Sequence, residues 1–255
     1  MNAIPEKIII DKQPWFQSWF DSKYYHQLYC NRDETEAKNF IDALIDELQP
    51  AYKSSMLDVG CGAGRHSKYM ASKGYNVTGF DLAFSSIREA RKFESSSLQF
   101  RQHDMRIPFG KNRFDYVFNF FTSFGYFKNA TENNQVVSNM SAALKPGGLL
   151  LIDYLNVQYT EEHIIAVEEK EIDGVWYHIN RWSDDRFIYK RIAIHDVQAA
   201  RPLEYVEQVA KLRLKDFKEL FHSNGLQIVN LYGNYELSKY DSKTSKRLII
   251  AARKK

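Results

Sequence analysis

The amino-acid sequence predicts an α/β fold in which a parallel sheet carries helices on both faces. Between residues 55 and 155, short apolar runs alternate with stretches of helical periodicity, and strands that alternate with helices form parallel sheets. Between about 165 and 213, apolar and polar residues alternate instead, which is typical of antiparallel strands with one solvated face. We therefore expect an α/β domain over 32–255 that contains an antiparallel β insertion over 165–213.

Composition excludes several classes of protein. With 255 residues, of which 44% are apolar, the chain can bury a sizeable core and is not mostly disordered. A formal net charge of +3 is too weakly basic to indicate a nucleic-acid binding surface. No apolar run approaches the ~20 residues of a membrane span, the first residues do not resemble a signal peptide, and two cysteines are too few for a disulfide framework. The sequence predicts a soluble cytoplasmic protein.

The N-terminal segment, residues 1–31, is rich in Trp, Phe and Tyr. Such a segment can pack on the main domain, and it can also close over a pocket as a lid. Apolar residues at helical spacing then predict a helix over 32–48, which Pro50 ends.

The central region alternates between the two periodicities. Strands are predicted over 55–59, 76–81, 98–103, 114–121 and 148–155, and helices over 64–74, 84–93 and 132–144. Next, Asp173-Gly174 is a hairpin-turn signal, and the alternating residues after it predict about three antiparallel strands.

The C-terminal region returns to helical periodicity over 214–224, and Gly225 suits the position just after that helix. Two closing strands are predicted over 226–232 and 247–252.

A glycine-rich turn follows the first predicted strand. Gly60, Gly62 and Gly64 stand between that strand and the next helix, where glycine lets a ligand lie against bare main chain. The dinucleotide fingerprint G-x-G-x-x-G needs its third glycine where this chain has Arg65. The spacing therefore disfavours a nicotinamide oxidoreductase.

Three acidic residues accompany this turn. Asp81 ends the second strand, where a carboxylate can accept both ribose hydroxyls. Asp104 follows the third strand and could accept from the exocyclic amine of adenine, or instead form an Asx turn. Asp58 precedes the glycines and contacts either the ligand or the turn backbone. An acid-rich site suits S-adenosylmethionine, a cation without phosphate, better than it suits a diphosphate.

The chain resembles class I S-adenosylmethionine-dependent methyltransferases, in the family's order and at its spacings over about 50–155. The segments that carry the resemblance are L-D-V-G-C-G-A-G (57–64), G-F-D (79–81), H-D-M (103–105), F-D-Y-V-F-N-F-F (114–121) and L-K-P-G-G-L-L-L-I (144–152). The residues after the fourth strand, with the antiparallel insertion, are similar to small-molecule enzymes: aminosugar N,N-dimethyltransferases and, more distantly, glycine N-methyltransferase-like enzymes.

The resemblance implies a Rossmann-like sheet of seven strands, the last antiparallel, and S-adenosyl-L-methionine as cofactor with S-adenosyl-L-homocysteine as product. The glycines would face the methionine part, Asp81 the ribose and Asp104 the adenine. The candidate cofactor-binding residues are Asp58, Gly60, Cys61, Gly62, Gly64, Asp81, Leu82, Asp104, Met105, Asn119 and Phe120.

We expect transfer by direct displacement to a nitrogen or oxygen of a small-molecule acceptor, under the insertion. The candidate acceptor-binding residues are Tyr24, Tyr25, His26, Tyr126, Tyr154 and Asn156; the first three could instead be core residues. The sequence singles out no catalytic base and no metal site.

Other functions stay open. Exocyclic-amine methylation of nucleic acid typically uses a D/N-P-P-Y/F motif, whereas residues 119–122 lack prolines, so a nucleic-acid acceptor is disfavoured. A protein acceptor and a non-catalytic S-adenosylmethionine-binding protein are further alternatives. Exposed edge strands in the insertion would also allow a homodimer.

Overall fold

The protein contains two β-sheets, and the computed structural model describes residues 14–29, 34–199 and 201–255. The strands are β1 (Ser55–Val59), β2 (Asn76–Asp81), β3 (Leu98–Gln102), β4 (Phe114–Asn119), β5 (Leu144–Leu155), β6 (Val167–Ile172), β7 (Val175–Ser183), β8 (Phe187–His195), β9 (Leu203–Ala210), β10 (Leu226–Tyr232) and β11 (Arg247–Lys254). The α-helices are α1 (Trp15–Phe20), α2 (Lys23–Leu28), α3 (Glu34–Leu48), α4 (Arg65–Ser72), α5 (Phe84–Ala90), α6 (Ala130–Ala143), α7 (Val157–Glu162) and α8 (Leu214–Ser223).

The larger sheet has seven strands in the order β10-β11-β5-β4-β1-β2-β3. Strands β1 to β5 pair in parallel, and β11 runs antiparallel to both of its neighbours. The predicted seven-stranded, mostly parallel sheet is therefore confirmed. The strand order reverses at β1, which pairs with β2 on one side and β4 on the other, and ligands bind at such reversals beyond the carboxyl ends of the strands.

Apolar clusters cover both faces of this sheet. One cluster includes Val59 and Ile152 and packs under α6 and α8, and the other includes Met56 and Leu151 and packs under α3, α4 and α5. Strands buried on both faces carry near-continuous apolar runs, as β5 does. Among the described residues, no helix is both long enough and apolar enough to cross a membrane.

The smaller sheet has four antiparallel strands in the order β6-β7-β8-β9, one more than predicted. The missed strand is β6, whose charged sequence V-E-E-K-E-I lacks an apolar alternation because most of its side chains are at least partly exposed. Asp173 and Gly174 join it to β7 with φ of 50° and 76°, the left-handed pair of a type I′ hairpin turn. The hairpin turn predicted at Asp173-Gly174 is therefore present. Because a hairpin turn joins two strands, this signal also indicated a strand before residue 173.

The described part of the N-terminal segment forms α1 and α2, while residues 1–13 and 30–31 of it lie outside the described residues. Trp19 is fully buried between these helices and the smaller sheet, with its ring 4.6 Å from that of Tyr205. The aromatic residues thus form a core with the sheet while α1 and α2 stay attached to the larger domain through Phe16.

Several elements differ from the prediction in their bounds, and one helix was missed. Strand β4 ends at Asn119 rather than 121, because Phe121 and Thr122 adopt φ of 60° and 58° and cannot continue a strand. Strand β5 begins earlier than predicted, and the short helix α7 was not predicted. Gly225 follows α8 with φ of 69°, as predicted.

Candidate functional site

A cavity of about 770 Å³ lies beyond the carboxyl ends of β1, β2 and β4. Its floor is the glycine-rich turn and the residues that follow these strands, and its walls come from α1, α2 and the smaller sheet. This volume is within the ~300–1,000 Å³ of small-molecule sites. Of the candidate cofactor-binding residues, those that line the cavity are Gly60, Cys61, Gly62, Asp81, Leu82, Asp104, Met105 and Phe120.

The glycine turn presents bare main chain to the cavity. A Cβ built on Gly62, where φ is 55°, would have no atom within 4 Å. Gly64 has a different role, because a Cβ there would lie 2.5 Å from the ring of Phe100. Gly64, with φ of 79°, begins α4 and does not line the cavity, so it allows α4 to pack closely on the sheet instead of contacting a ligand.

Asp81 braces the turn from the end of β2. One carboxylate oxygen accepts from the main-chain N–H of Gly62 at 2.8 Å, and the other accepts from that of Ala83 at 2.9 Å. Burial raises the pKa of Asp81, although these two hydrogen bonds lower it in part. Each carboxylate oxygen has a second lone pair, so Asp81 can also accept hydroxyl groups of a ligand.

Asp104 lines the cavity, but its carboxylate is already bound by Arg106. The guanidinium donates to it from Nη2 at 2.7 Å and from Nε at 3.1 Å, and the main-chain N–H of Arg106 closes an Asx turn at 2.9 Å. Burial pushes the pKa of Asp104 up, but the bonds from Arg106 outweigh it and hold that pKa below its ordinary value. The Asx turn that was the alternative interpretation is therefore present, and adenine binding by Asp104 stays a prediction.

Two candidate cofactor-binding residues lie beneath the turn and not in the cavity wall. Asp58 is fully buried and accepts from the Ser67 hydroxyl at 2.5 Å, and burial raises its pKa to about 7. Asn119 is fully buried and donates to the Val59 carbonyl at 2.8 Å. Neither side chain lines the cavity.

Among the acceptor candidates, Tyr25, His26 and Tyr126 line the cavity, and Tyr24 does not. The Tyr24 ring is buried between α2 and the smaller sheet, and its hydroxyl donates to Asp196 at 2.8 Å. The core alternative is therefore correct for Tyr24, because a helix turns adjacent residues to different faces.

Tyr154 and Asn156 also point away from the cavity, contrary to the prediction. The fully buried Tyr154 hydroxyl donates to the Ala210 carbonyl at 2.6 Å, and burial raises its pKa. The buried Asn156 amide donates to the carbonyls of Ser242 and Ser245 at 2.9 and 2.7 Å. Both side chains thus tie β5 to segments that are distant in sequence.

An aromatic wall, defined here as the seven Trp, Phe and Tyr rings of residues 15–29 and 126–127 that line the cavity, was predicted only in outline. Its members are Trp15, Phe16, Phe20, Tyr25, Tyr29, Tyr126 and Phe127. The rings contact one another, with centroids 5.3 Å apart for Trp15 and Tyr126 and 5.0 Å apart for Phe20 and Tyr25. Aromatic enrichment before residue 31 was the signal for most of this wall.

Charged residues that sequence analysis missed also line the cavity. Glu207 on β9 accepts from the Trp19 indole at 2.7 Å and from the Tyr29 hydroxyl at 3.0 Å. Arg247 on β11 and Arg65 on α4 both approach the Phe121 ring, with guanidinium carbons 5.9 and 5.6 Å from its centroid. No local motif could have identified Arg247, because it meets Thr122 from 125 positions away.

The cavity therefore has two chemically different halves. The first, beyond β1, β2 and β3, offers open main chain and the Asp81 carboxylate. The second, beyond β4, β5 and β11, offers the aromatic wall and fixed charges. Within the described ranges, no group of three or more His, Cys, Asp or Glu side chains is placed to hold a metal ion.

The chain is similar in sequence and in fold to known methyltransferases. Residues 56–148 match the methyltransferase domain family. The chain is 25% identical to the putative methyltransferase YqeM of Bacillus subtilis over 244 residues, covering 90% of this chain and 94% of the relative. It is 29% identical to the dTDP-3-amino-3,4,6-trideoxy-alpha-D-glucopyranose N,N-dimethyltransferase of Streptomyces venezuelae, covering 51% of this chain and 54% of that enzyme.

A solved structure shares the fold along nearly the whole chain. It is that of an S-adenosylmethionine-dependent methyltransferase from Clostridium acetobutylicum, with a TM-score of 0.75 and 19% identity. The match covers 91% of this chain and 96% of the other. The similarity therefore includes the smaller sheet as well as the larger one.

Proposed function

We propose that this protein, a class I S-adenosylmethionine-dependent methyltransferase, transfers the methyl group by direct displacement to a nitrogen or oxygen of a small-molecule acceptor. The observation that carries the proposal is the second half of the cavity, which the aromatic wall and the smaller sheet line. A concave site of this volume suits a small molecule better than a protein or nucleic-acid surface. The similarity to an enzyme named as an aminosugar N,N-dimethyltransferase supports an acceptor of this size.

The first half of the cavity fits the cofactor. The open face of Gly62 can take a ligand against the main chain, and Asp81 retains acceptor capacity for hydroxyl groups. When bound, S-adenosylmethionine supplies a methyl group that its sulfonium already activates.

The chain's own residues then provide alignment and desolvation. We assign ribose binding to Asp81 and contact along the cofactor to Gly60, Cys61, Gly62 and Met105. Leu82 and Phe120 add apolar surface, while Asp104, fixed by Arg106, contributes shape and charge. Correct alignment of two reactants is worth ~7–11 kcal/mol, so a rigid cavity can supply much of the catalysis.

We assign the roles of lid to residues 1–31 and of acceptor cover to residues 165–213. The contacts of α1 and α2 with the smaller sheet support a joint movement of the two. Tyr25, His26 and Tyr126 are the acceptor candidates that line the cavity. Burial lowers the pKa of His26, which favours its neutral form and makes it a weaker base than a free imidazole. The cytoplasmic location and the homodimer stay predictions.

Calorimetric titration of the purified protein with S-adenosylhomocysteine, with NADH as the control, tests the cofactor site. We expect micromolar binding of the first and none of the second. Methyl transfer from labelled S-adenosylmethionine to panels of amines, alcohols, peptides and RNA then tests the acceptor class. Turnover of peptide or RNA alone would contradict the proposal, and binding without turnover of any panel would favour the non-catalytic alternative.

Asp81→Ala should weaken S-adenosylhomocysteine binding by about 10- to 100-fold, because hydrogen bonds to a charged group contribute ~1.5–3 kcal/mol. Asp81→Asn is the matched control, and it should lose less because it keeps one acceptor oxygen. Calorimetry measures both affinities, and circular dichroism checks the fold. Unchanged affinity in the alanine variant would rule out Asp81 as the ribose acceptor.

A further inference from the structure

Arg247 is a nearly buried guanidinium at the wall of the acceptor half. Its Nε donates to Asp153 at 2.7 Å, and its Nη2 donates to the Thr122 hydroxyl at 2.7 Å and forms the ion pair with Asp153 at 2.7 Å. The rings of Phe121 and Tyr235 flank it, each 5.9 Å from the guanidinium carbon. These contacts fix the position of the guanidinium before any ligand arrives.

Arg247 lines the cavity and keeps two N–H donors that its partners Asp153 and Thr122 do not use. A guanidinium has five N–H groups, and the contacts with Asp153 and Thr122 use those of Nε and Nη2. The two N–H groups of Nη1 have no hydrogen-bond partner among the described residues. Nη1 keeps some accessible surface, and the Arg247 side chain lines the cavity. Nη1 is therefore accessible to a bound molecule.

The position of Arg247 distinguishes an acceptor contact from a cofactor contact. It lies on β11, which is separated from β4 by β5, whereas Asp81 lies on β2, on the other side of β1. Arg65 also approaches the Phe121 ring, but it stands at the start of α4, directly after the glycine turn.

The residues that hold Arg247 also hold the loop that separates the two halves. Asp153 is fully buried, and its carboxylate accepts from the main-chain N–H of Phe121 at 2.8 Å. Phe121 and Thr122 are two successive left-handed residues, a costly conformation that persists where surrounding contacts impose it. The Asp153 carboxylate and the Thr122 hydroxyl thus hold the guanidinium in place, while its Nη1 has no hydrogen-bond partner among the described residues.

We propose that Arg247 binds an anionic group of the methyl acceptor, a carboxylate or a phosphate, through Nη1. This inference rests on the proposed function, because it names the acceptor's chemistry for the same site. Arginine suits this role because its charge is permanent and its planar donors match both kinds of anion. The aromatic wall would contact the apolar part of the same molecule.

The test uses probes that share a phenyl ring and differ in charge. Protein saturated with S-adenosylhomocysteine is titrated with benzoate, phenyl phosphate, benzamide and benzylamine. We expect at least one anion to bind about 10-fold or more tightly than neutral benzamide. The tighter of benzoate and phenyl phosphate identifies the preferred anion. Equal affinities, or a preference for benzylamine, would overturn the inference.

Two variants assign any preference to Arg247. Arg247→Gln should abolish the preference for the anion, and Arg247→Gln with Asp153→Asn should do the same without leaving a buried, unpaired carboxylate. Arg253→Gln is the control, because Arg253 lies on the same strand, is exposed and donates to the Gly147 carbonyl. An anion preference that survives in the double variant would overturn the inference. Failure to bind S-adenosylhomocysteine is a separate result, because it would overturn the proposed function itself.

Discussion

The carboxylates of Asp81 and Asp58 differ in their hydrogen-bond partners and in their access to the cavity. Asp81 faces two main-chain N–H groups and the cavity, whereas Asp58 faces only the interior and the Ser67 hydroxyl. Burial raises the pKa of both, to about 7 for Asp58. Asp58 therefore makes the turn's stability depend on pH, while Asp81 remains available to a ligand.

Asp58 should make the protein less stable as the pH rises from about 4 to about 7. Its pKa is about 7 in the folded protein and ~3.9 in an unfolded chain, so the folded state binds more protons between these values and its stability falls there. The isosteric Asp58→Asn cannot ionise. The change in free energy of unfolding between pH 5 and pH 8 should differ by about 2 to 3 kcal/mol between the two proteins.

Urea unfolding at the two pH values measures this difference. The contributions of the other titrating groups to the free energy of unfolding cancel, because both proteins carry these groups. If the free energy of unfolding changes equally with pH in the wild type and in Asp58→Asn, the pKa of Asp58 is the same in the folded and unfolded states, and the prediction is wrong.

Gly62 and Gly64 should respond differently to the same change. Gly62→Ala should cost ~1–2 kcal/mol for its left-handed backbone and should weaken S-adenosylhomocysteine binding, since the new methyl group enters the open cavity. Gly64→Ala has the same backbone cost and also overlaps the Phe100 ring, which adds ~1–3 kcal/mol. Denaturant unfolding and calorimetry separate the two effects. A larger loss of binding in Gly64→Ala than in Gly62→Ala, at matched folding, would contradict these roles.

At the level of elements, α1 and α2 depend on the smaller sheet for their structure. Each has six residues, and isolated helices of that length do not form in water. Their buried faces pack on the inner side of β7, β8 and β9. These two helices and the smaller sheet are thus one structural unit, and a change to their shared core should affect both.

Trp19→Ala should release α1 and α2 from the smaller sheet. It removes a fully buried ring and the indole bond to Glu207, a loss of ~3–5 kcal/mol for a large aromatic side chain. Limited proteolysis should cut within residues 14–33 much faster than in the wild type. Trp176→Ala on the outer face of the same sheet, where the side chain is 43% exposed, should change little. Equal cleavage of the two variants would refute the shared core.

At the scale of the whole molecule, the cavity lies where the two sheets and the N-terminal helices meet. A ligand that fills it contacts all three parts at once. Binding therefore adds stability that grows with the logarithm of ligand concentration above the dissociation constant, and the part that is least stable alone gains the most protection.

S-adenosylhomocysteine should slow amide hydrogen exchange in α1 and α2 as well as in the glycine turn. Residues 15–28 are held by the core that they share with the smaller sheet, and several of them line the cavity. Contact with a ligand should therefore suppress local opening of these helices. Strand β10 at the far edge of the larger sheet is the control and should not change. Mass-spectrometric exchange measures all three segments in one experiment. Protection confined to the glycine turn would mean that α1 and α2 do not act as a lid on the cofactor.

The sequence by itself determined the larger sheet, the glycine turn and the position of Asp81 at a strand end. These features are local: strand and helix periodicities are read within a dozen residues, and a glycine turn between a strand and a helix is a continuous segment. The end of a parallel strand places a residue at the ligand-binding edge whatever the rest of the chain does.

Only the tertiary structure decided which side chains at that edge reach the cavity. Tyr154 and Asn156 stand at the expected strand end, yet both turn to distant carbonyls. The Arg106 guanidinium donates hydrogen bonds to the Asp104 carboxylate, and Arg247 on the last strand donates to the Thr122 hydroxyl. The reason is that a buried polar group must find a partner, and that partner is supplied by whichever distant segment the packing brings beside it.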